Sequence, residues 1–167
     1  TNVLNGIGPD GSRRSPLIIP PMTDFYLGYK TLAMAPDELI ESVTLPKPHP
    51  NDFIRVFKIS ARRDLDIACV NLAASIRVEE DVIVACQLAF GGVGPVIIRT
   101  AALEEALIGQ CLPTVSSTEL LPLLRSLIAP ISDVRGSQQF RFTAAGNLFR
   151  KFISESQAAL TSSTVSQ

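Results

Sequence analysis

From Val56 to Leu72 the chain reads VFKISARRDLDIACVNL, and it places Lys58, Arg62, Arg63, Asp64 and Asp66 between two apolar, strand-like runs. Two chemistries fit charges of these types at this spacing. One is mutual neutralisation in a solvated turn, whose exposed ion pairs contribute little. The other is a site for an anionic or electron-accepting ligand, because a cation fixed at the edge of a low-dielectric body stabilises negative charge more than the same cation in water. The residue types alone leave both open.

The remaining reactive residues form no recognisable set. Cys69, Cys86 and Cys111 are 17 and 25 positions apart, which fits neither a zinc site nor closely spaced iron–sulfur ligands. They read as buried thiols, with Cys69 and Cys86 inside strand-like runs where free cysteine acts as a small hydrophobe. His49 is the single histidine and lies in the proline-rich connection KPHPND, where the sequence assigns it no proton or metal chemistry. GGVGP over 91–95 resembles a phosphate loop in its glycines but lacks the strand–GxGxxG–helix setting and a Lys-Ser/Thr ending. A tight exit from a sheet explains it more simply.

Composition narrows the partners. Of the 167 residues 46% are hydrophobic and 19% charged, enough for a globular core, and 15 Lys and Arg against 16 Asp and Glu leave a net charge of −1. Such a balance provides no basic field for a nucleic-acid backbone. No apolar run approaches the roughly 20 residues of a bilayer span, and the first residues lack a basic segment followed by an apolar one. The expectation is a cytoplasmic protein with neither nucleic acid nor membrane as partner.

The elements that must position the charged turn follow from periodicity. Residues 1–21 are crowded with Asn-Gly, Pro-Asp-Gly and Pro-Pro signals and suit an edge hairpin or loop whose partners lie upstream. Phe25, Tyr26 and Tyr29 form a short packed segment. A short strand is expected over 39–45, with Leu39, Val43 and Leu45 on one face, ending at Pro46, Pro48 and Pro50. Phe53 to Ser60 reads as a strand with Phe53, Phe57 and Ile59 on one side. Past the charged turn, Ile67 to Val78 points Val70, Leu72, Ala74, Ile76 and Val78 inward. Val82 to Phe90 answers it across an acidic turn, with Val82, Val84, Cys86, Leu88 and Phe90 on one face. Helices are then expected from Thr100 to Gly109, from a Ser116/Glu119 capping box toward Ile128 across Pro122, and beyond Gly136. In the last, Phe140, Ala144, Leu148 and Phe152 fall at four-residue intervals, and Ser132 with Asp133 is placed to cap it while Arg135 braces the turn. The fold class is α+β: an antiparallel sheet of three to four strands covered by about three C-terminal helices.

Several of these stretches, in this order, carry a resemblance. KISARRDLDIACVN (58–71), LAFGGVGP (88–95), APISDVRG (129–136) and Phe140-Arg141 with the long helix resemble the C-terminal portion of the flavin-binding subunit or domain of the molybdenum hydroxylases. Xanthine dehydrogenase is the more similar branch and the carbon monoxide dehydrogenase flavoprotein the more distant. DFYLGYK (24–30) and Pro36-Asp37-Glu38 resemble the last part of that family's flavin-binding lobe. The resemblance implies three regions: 1–50 as the tail of the FAD-binding lobe with a proline-rich linker, 51–156 as the C-terminal domain, and 157–167 as a flexible tail.

It also implies a function. The chain would help to hold FAD that passes electrons from purine oxidation to NAD or oxygen, alongside the rest of the flavin subunit and iron–sulfur and molybdopterin domains or subunits. Two family FAD contacts map onto it: Ile40, six before the strand-ending proline and expected as an apolar wall, and Lys58, which opens the charged turn. Arg62, Arg63 and Asp66 match the family turn, Arg62 and Asp66 as secondary candidates, while Leu65 stands where some members have Asp. The family's glycine-rich pyrophosphate loop would lie upstream of Thr1, so this polypeptide by itself is expected to bind FAD weakly or not at all and to be inactive. The contrasting expectation is a stand-alone α+β interaction module that offers Phe140, Leu148 and Phe152 to a partner.

Overall fold

Pro46, Pro48 and Pro50 cannot donate to a ladder, and the chain divides where they fall. The structure, a computed structural model, describes residues 2–4, 17–19, 25–36, 40, 43, 45–62 and 66–164. It forms two units, Thr1–His49 and Pro50–Gln167.

Among the described residues the N-terminal unit holds two small hairpins. β1 (Asn2–Leu4) pairs antiparallel with β2 (Leu17–Ile19), and β3 (Tyr26–Gly28) with β4 (Thr31–Leu32). Phe25 is buried, edge-on to Tyr26 at 5.2 Å, with Leu32 and Met34 packed against it. The strand expected over 39–45 is absent at its described positions. Ile40, Val43 and Leu45 lie in no ladder and are exposed, so at these positions the apolar side chains bury no face. Residues 39, 41, 42 and 44 of that expectation lie outside the described residues.

The C-terminal unit is built on an antiparallel sheet in the order β5 (Asp52–Ile59), β6 (Val70–Glu79), β7 (Val82–Gly91) and β8 (Ile98–Arg99). Val70, Leu72, Ala74 and Ile76 of β6 are buried, and alternation sends Asn71, Ala73 and Ser75 to the other face. The β6–β7 hairpin turns through Glu80 and Asp81, both with positive φ (48° and 66°), the geometry whose twist suits flanking strands. Arg77 pairs with Ala85 but Val78 with Ile83, so Val84 is an inserted residue. This bulge reverses the phase of β7. Ile83 is fully buried while Val82 and Val84 are exposed, contrary to unbroken alternation; Cys86, Leu88 and Phe90 lie inward as expected.

Three helices cover the buried face: α1 (Ala101–Leu107), α2 (Ser117–Leu127) and α3 (Gln138–Thr164), with a 3-10 turn at Leu112–Thr114. α1 packs on β7, and α3 on β6 and β5. Thr100 and Ser116 occupy the N-cap positions without side-chain capping bonds, and Thr100 Oγ1 is buried without a hydrogen-bond partner among the described residues. α1 is tied down by buried Glu104, which accepts from the Leu88 N–H and from Arg99. Pro122 lies inside α2 without ending it. α3 buries Arg141, Ala145, Phe149 and Ile153 together with Ala144, Leu148 and Phe152, whereas Phe140 is 42% exposed. The buried face is therefore wider than the expected stripe and leaves out only Phe140, and Leu148 and Phe152 belong to the unit's own core rather than to a partner. α3 also continues through 157–164, where a flexible tail is expected. Gln157 donates to the carbonyls of Leu112 and Val115, which fixes this part of the helix to the 3-10 turn.

Candidate functional site

With the helices on one face, the other face of the sheet is left uncovered within this unit. Its register sets out rows across the strands: Ile54, Ser75 and Gln87; Val56, Ala73 and Ala89; and Lys58, Asn71 and Gly91. Val56 is 75% exposed, and the neighbours are mostly small, so the face is shallow and flat. The last row combines an ammonium, a carboxamide and a position without a side chain. A Cβ at Gly91 would overlap the Asn71 carboxamide, so glycine here lets that amide lie over β7. Among the described residues Lys58 makes no ion pair or hydrogen bond through its side chain.

The turn that follows Lys58 is folded around Asp66. Its Oδ2 accepts the Arg62 N–H and its Oδ1 the Ile67 N–H, both at 2.9 Å, while the Ser60 hydroxyl donates to the Arg62 carbonyl at 2.7 Å. The Arg62 N–H above all, with the Ile67 N–H and the charges of Arg62 and Lys58, holds the Asp66 carboxyl below its ordinary range. Cys69 N–H closes the loop on the Ile59 carbonyl at 2.7 Å. Arg62 reaches Asp66 only at 3.9 Å and leaves three-quarters of its side chain in solvent. Asp66 thus shapes the turn, whereas Lys58 projects from the sheet. Arg63 and Leu65 lie outside the described residues.

The structure places Lys58 near the end of β5 and Arg62 and Asp66 in the turn that follows it, all in the C-terminal unit. Ile40 belongs to the N-terminal unit and is 44% exposed.

Beneath the turn lies a group that periodicity missed. Arg141, only 4% exposed, donates through Nη1 to the carbonyls of Cys69 and Gly92, the latter at 2.8 Å, and through Nη2 to Asp133 Oδ1 at 2.7 Å. Gly92 has φ +76°, and a Cβ there would overlap the Cys69 carbonyl oxygen, so this glycine provides both the turn and the close approach. Asp133 also accepts the Arg135 N–H at 2.9 Å, and Arg141 first and then this N–H hold its carboxyl below the usual range. It is therefore the counter-ion of Arg141 and not the cap of α3. Ser132 Oγ caps the helix by accepting the Gln138 N–H, and Ser137 Oγ accepts that of Phe140. The Cys69 thiol donates to the Arg135 carbonyl at 3.1 Å. A signal for Arg141 was present in the sequence: Ala145, Phe149 and Ile153 follow it at four-residue steps, which puts it on the apolar face.

Of the other cysteines, Cys86 is buried and its thiol is pushed up to about 12, mainly by desolvation. Cys111 is exposed, contrary to expectation, because it lies in the connection between α1 and the 3-10 turn. Among the described residues no cluster of His, Cys, Asp or Glu could hold a metal, and no helix is long and apolar enough to cross a membrane.

Comparison with known proteins agrees with this geometry. Residues 55–156 match the family model of the CO dehydrogenase flavoprotein C-terminal domain. Xanthine dehydrogenase 1 of Arabidopsis thaliana is 31% identical over 137 residues, 79% of this chain and 10% of that protein. Xanthine dehydrogenase 2 of the same organism is 37% identical over 94 residues, 54% of this chain and 7% of that one. The chain thus spans a tenth or less of the length of these relatives. Two solved structures share the fold: CO dehydrogenase from Oligotropha carboxidovorans, with a TM-score of 0.78 and 22% identity over 94% of this chain and 53% of that one, and quinoline 2-oxidoreductase from Pseudomonas putida 86, with a TM-score of 0.76 and 20% identity over 95% and 53%. The match covers more than half of the sequence, running from within β5 through the rest of the sheet and the first two helices into α3: the chain belongs to the CO dehydrogenase flavoprotein C-terminal domain family.

Proposed function

We propose that this chain is part of the flavin-binding portion of a xanthine dehydrogenase-like molybdenum hydroxylase and helps to hold FAD. The observation that carries the reading is the row formed by Lys58, Asn71 and Gly91 on the uncovered face of the sheet, inside the region that matches the family. The donor set fits such a group. Lys58 supplies a cation that no described carboxylate neutralises by a direct pair, Asn71 supplies an amide that can donate or accept, and Ala73, Ala89 and Gly91 leave a shallow surface. FAD supplies the electron-transfer chemistry. The part of the protein is to place a fixed positive charge that favours a negatively charged ligand, while Asp66 holds the turn in shape and Arg62 remains in solvent. Ile40 is assigned an apolar contact from the N-terminal unit.

Residues 1–50 are assigned as the tail of the flavin lobe and 51–156 as its C-terminal domain. The partners proposed are the remainder of the flavin subunit, iron–sulfur and molybdopterin domains or subunits, and NAD or oxygen as acceptor of electrons from purine oxidation in the cytoplasm. The visible spectrum of the complete protein, with FAD released by acid and quantified, tests the reading. About one FAD per chain is expected. A complete, folded protein without flavin that also fails to take up added FAD would contradict it.

A further inference from the structure

Arg141 is an uneconomical residue for stability alone. It stands in the first turn of α3, where the helix dipole disfavours a cation. It is buried, and among the described residues its Nε has no partner. What the guanidinium does, and an apolar chain could not, is join three backbone segments. The Cys69 carbonyl belongs to the end of the charged turn, the Gly92 carbonyl to the exit from β7, and Asp133 to the turn before α3. Cys69 is bonded in turn through its N–H to Ile59, the residue after Lys58, while Gly91 directly precedes Gly92 and Asn71 lies two residues after Cys69. All three members of the Lys58 row are therefore one or two residues from a backbone group held, directly or through one hydrogen bond, by this single side chain.

We propose that Arg141 is a positioning residue of the flavin site: it fixes the ends of β5, β6 and β7 from the buried side so that Lys58 and Asn71 present a preformed surface on the opposite side. This rests on the flavin reading above. A side chain on the covered face thereby sets the geometry of the uncovered one, and its selectivity comes from planarity, since a lysine keeps the charge but cannot bond three acceptors in a fixed fork.

The test uses the complete protein and compares wild type with Arg141→Lys, and with Phe149→Leu as a control that loosens the same helix without touching the turn. For each the thermal midpoint, the FAD dissociation constant and the visible spectrum at saturating FAD are measured. Hydrogen exchange at the Arg62, Ile67 and Cys69 amides is followed without flavin. Arg141→Lys is expected to speed these amides at least tenfold, weaken FAD binding at least fivefold and shift the flavin bands. Phe149→Leu should lower the midpoint without those changes. If Arg141→Lys lowers the midpoint but leaves affinity, spectrum and turn exchange as in wild type, Arg141 is only structural and the proposal fails. A wild type that binds no FAD would instead remove the flavin reading itself.

Discussion

Lys58, Asp66, Gly92 and Asp133 each show how one residue's duty is decided by its surroundings and not by its type. Lys58 and Arg62 are both cations of one turn, but the strand directs the first onto the uncovered face, and the second ends in solvent, where salt screens it. Gly92 combines a left-handed φ with a carbonyl directly against it. Gly92→Ala should therefore cost at least about 1–2 kcal/mol from the backbone alone, with the overlap adding to it, as read from urea unfolding. Asp133 carries a pH dependence whose sign follows from its ion pair. The Arg141 guanidinium holds its carboxyl below the ordinary carboxylate range in the folded protein, so its stabilisation is complete above that range and is lost as pH falls through it toward the folded value. Asp66 and Glu155 act with the same sign, so the informative quantity is a difference. The denaturation midpoint of Asp133→Asn should be lower than that of wild type at pH 7 and fall less steeply between about pH 5 and pH 3. Parallel curves would mean that the pair with Arg141 contributes nothing.

Periodicity made the larger elements legible, and it failed where a single residue shifts the phase. β5, β6 and β7 and the three helices follow from alternation, turn residues and helical spacing, whereas the two-residue β8 was not expected. Val84 shows the limit: a bulge leaves no mark in composition, yet it exchanged Ile83 for Val82 and Val84 at the core. The long helix shows the other failure. Counting apolar residues gives Phe140, Ala144, Leu148 and Phe152, but the buried face is wider and includes Arg141, a charge that hydrophobic periodicity assigns to solvent. Two substitutions measure the difference. Phe149→Ala removes a fully buried ring and should cost about 3–5 kcal/mol, whereas Phe140→Ala, at an exposed position beside Gly136, should change stability by less than about 1 kcal/mol. Equal losses would restore the simpler stripe. The Lys58 turn was visible as a charge cluster between strands, but the row that Lys58 shares with Asn71 and Gly91 depends on cross-strand register, which one strand's sequence does not specify.

At the largest scale, the C-terminal unit divides labour between the two faces of one sheet: helices and a buried guanidinium on one side, and a shallow polar row on the other. The central claim is that this row meets FAD through Lys58 and not through the neighbouring arginine. A lost charge contact at a few ångströms is worth about 1 kcal/mol in water and about 4 kcal/mol at an effective dielectric near 20, at least a fivefold change in affinity. The most direct measurement is the FAD content and flavin reduction potential of the complete protein for wild type, Lys58→Ala and Arg62→Ala, each confirmed to be folded. The account predicts that Lys58→Ala lowers occupancy or potential while Arg62→Ala stays near wild type. Full flavin with an unshifted potential in Lys58→Ala, together with its loss in Arg62→Ala, would contradict it.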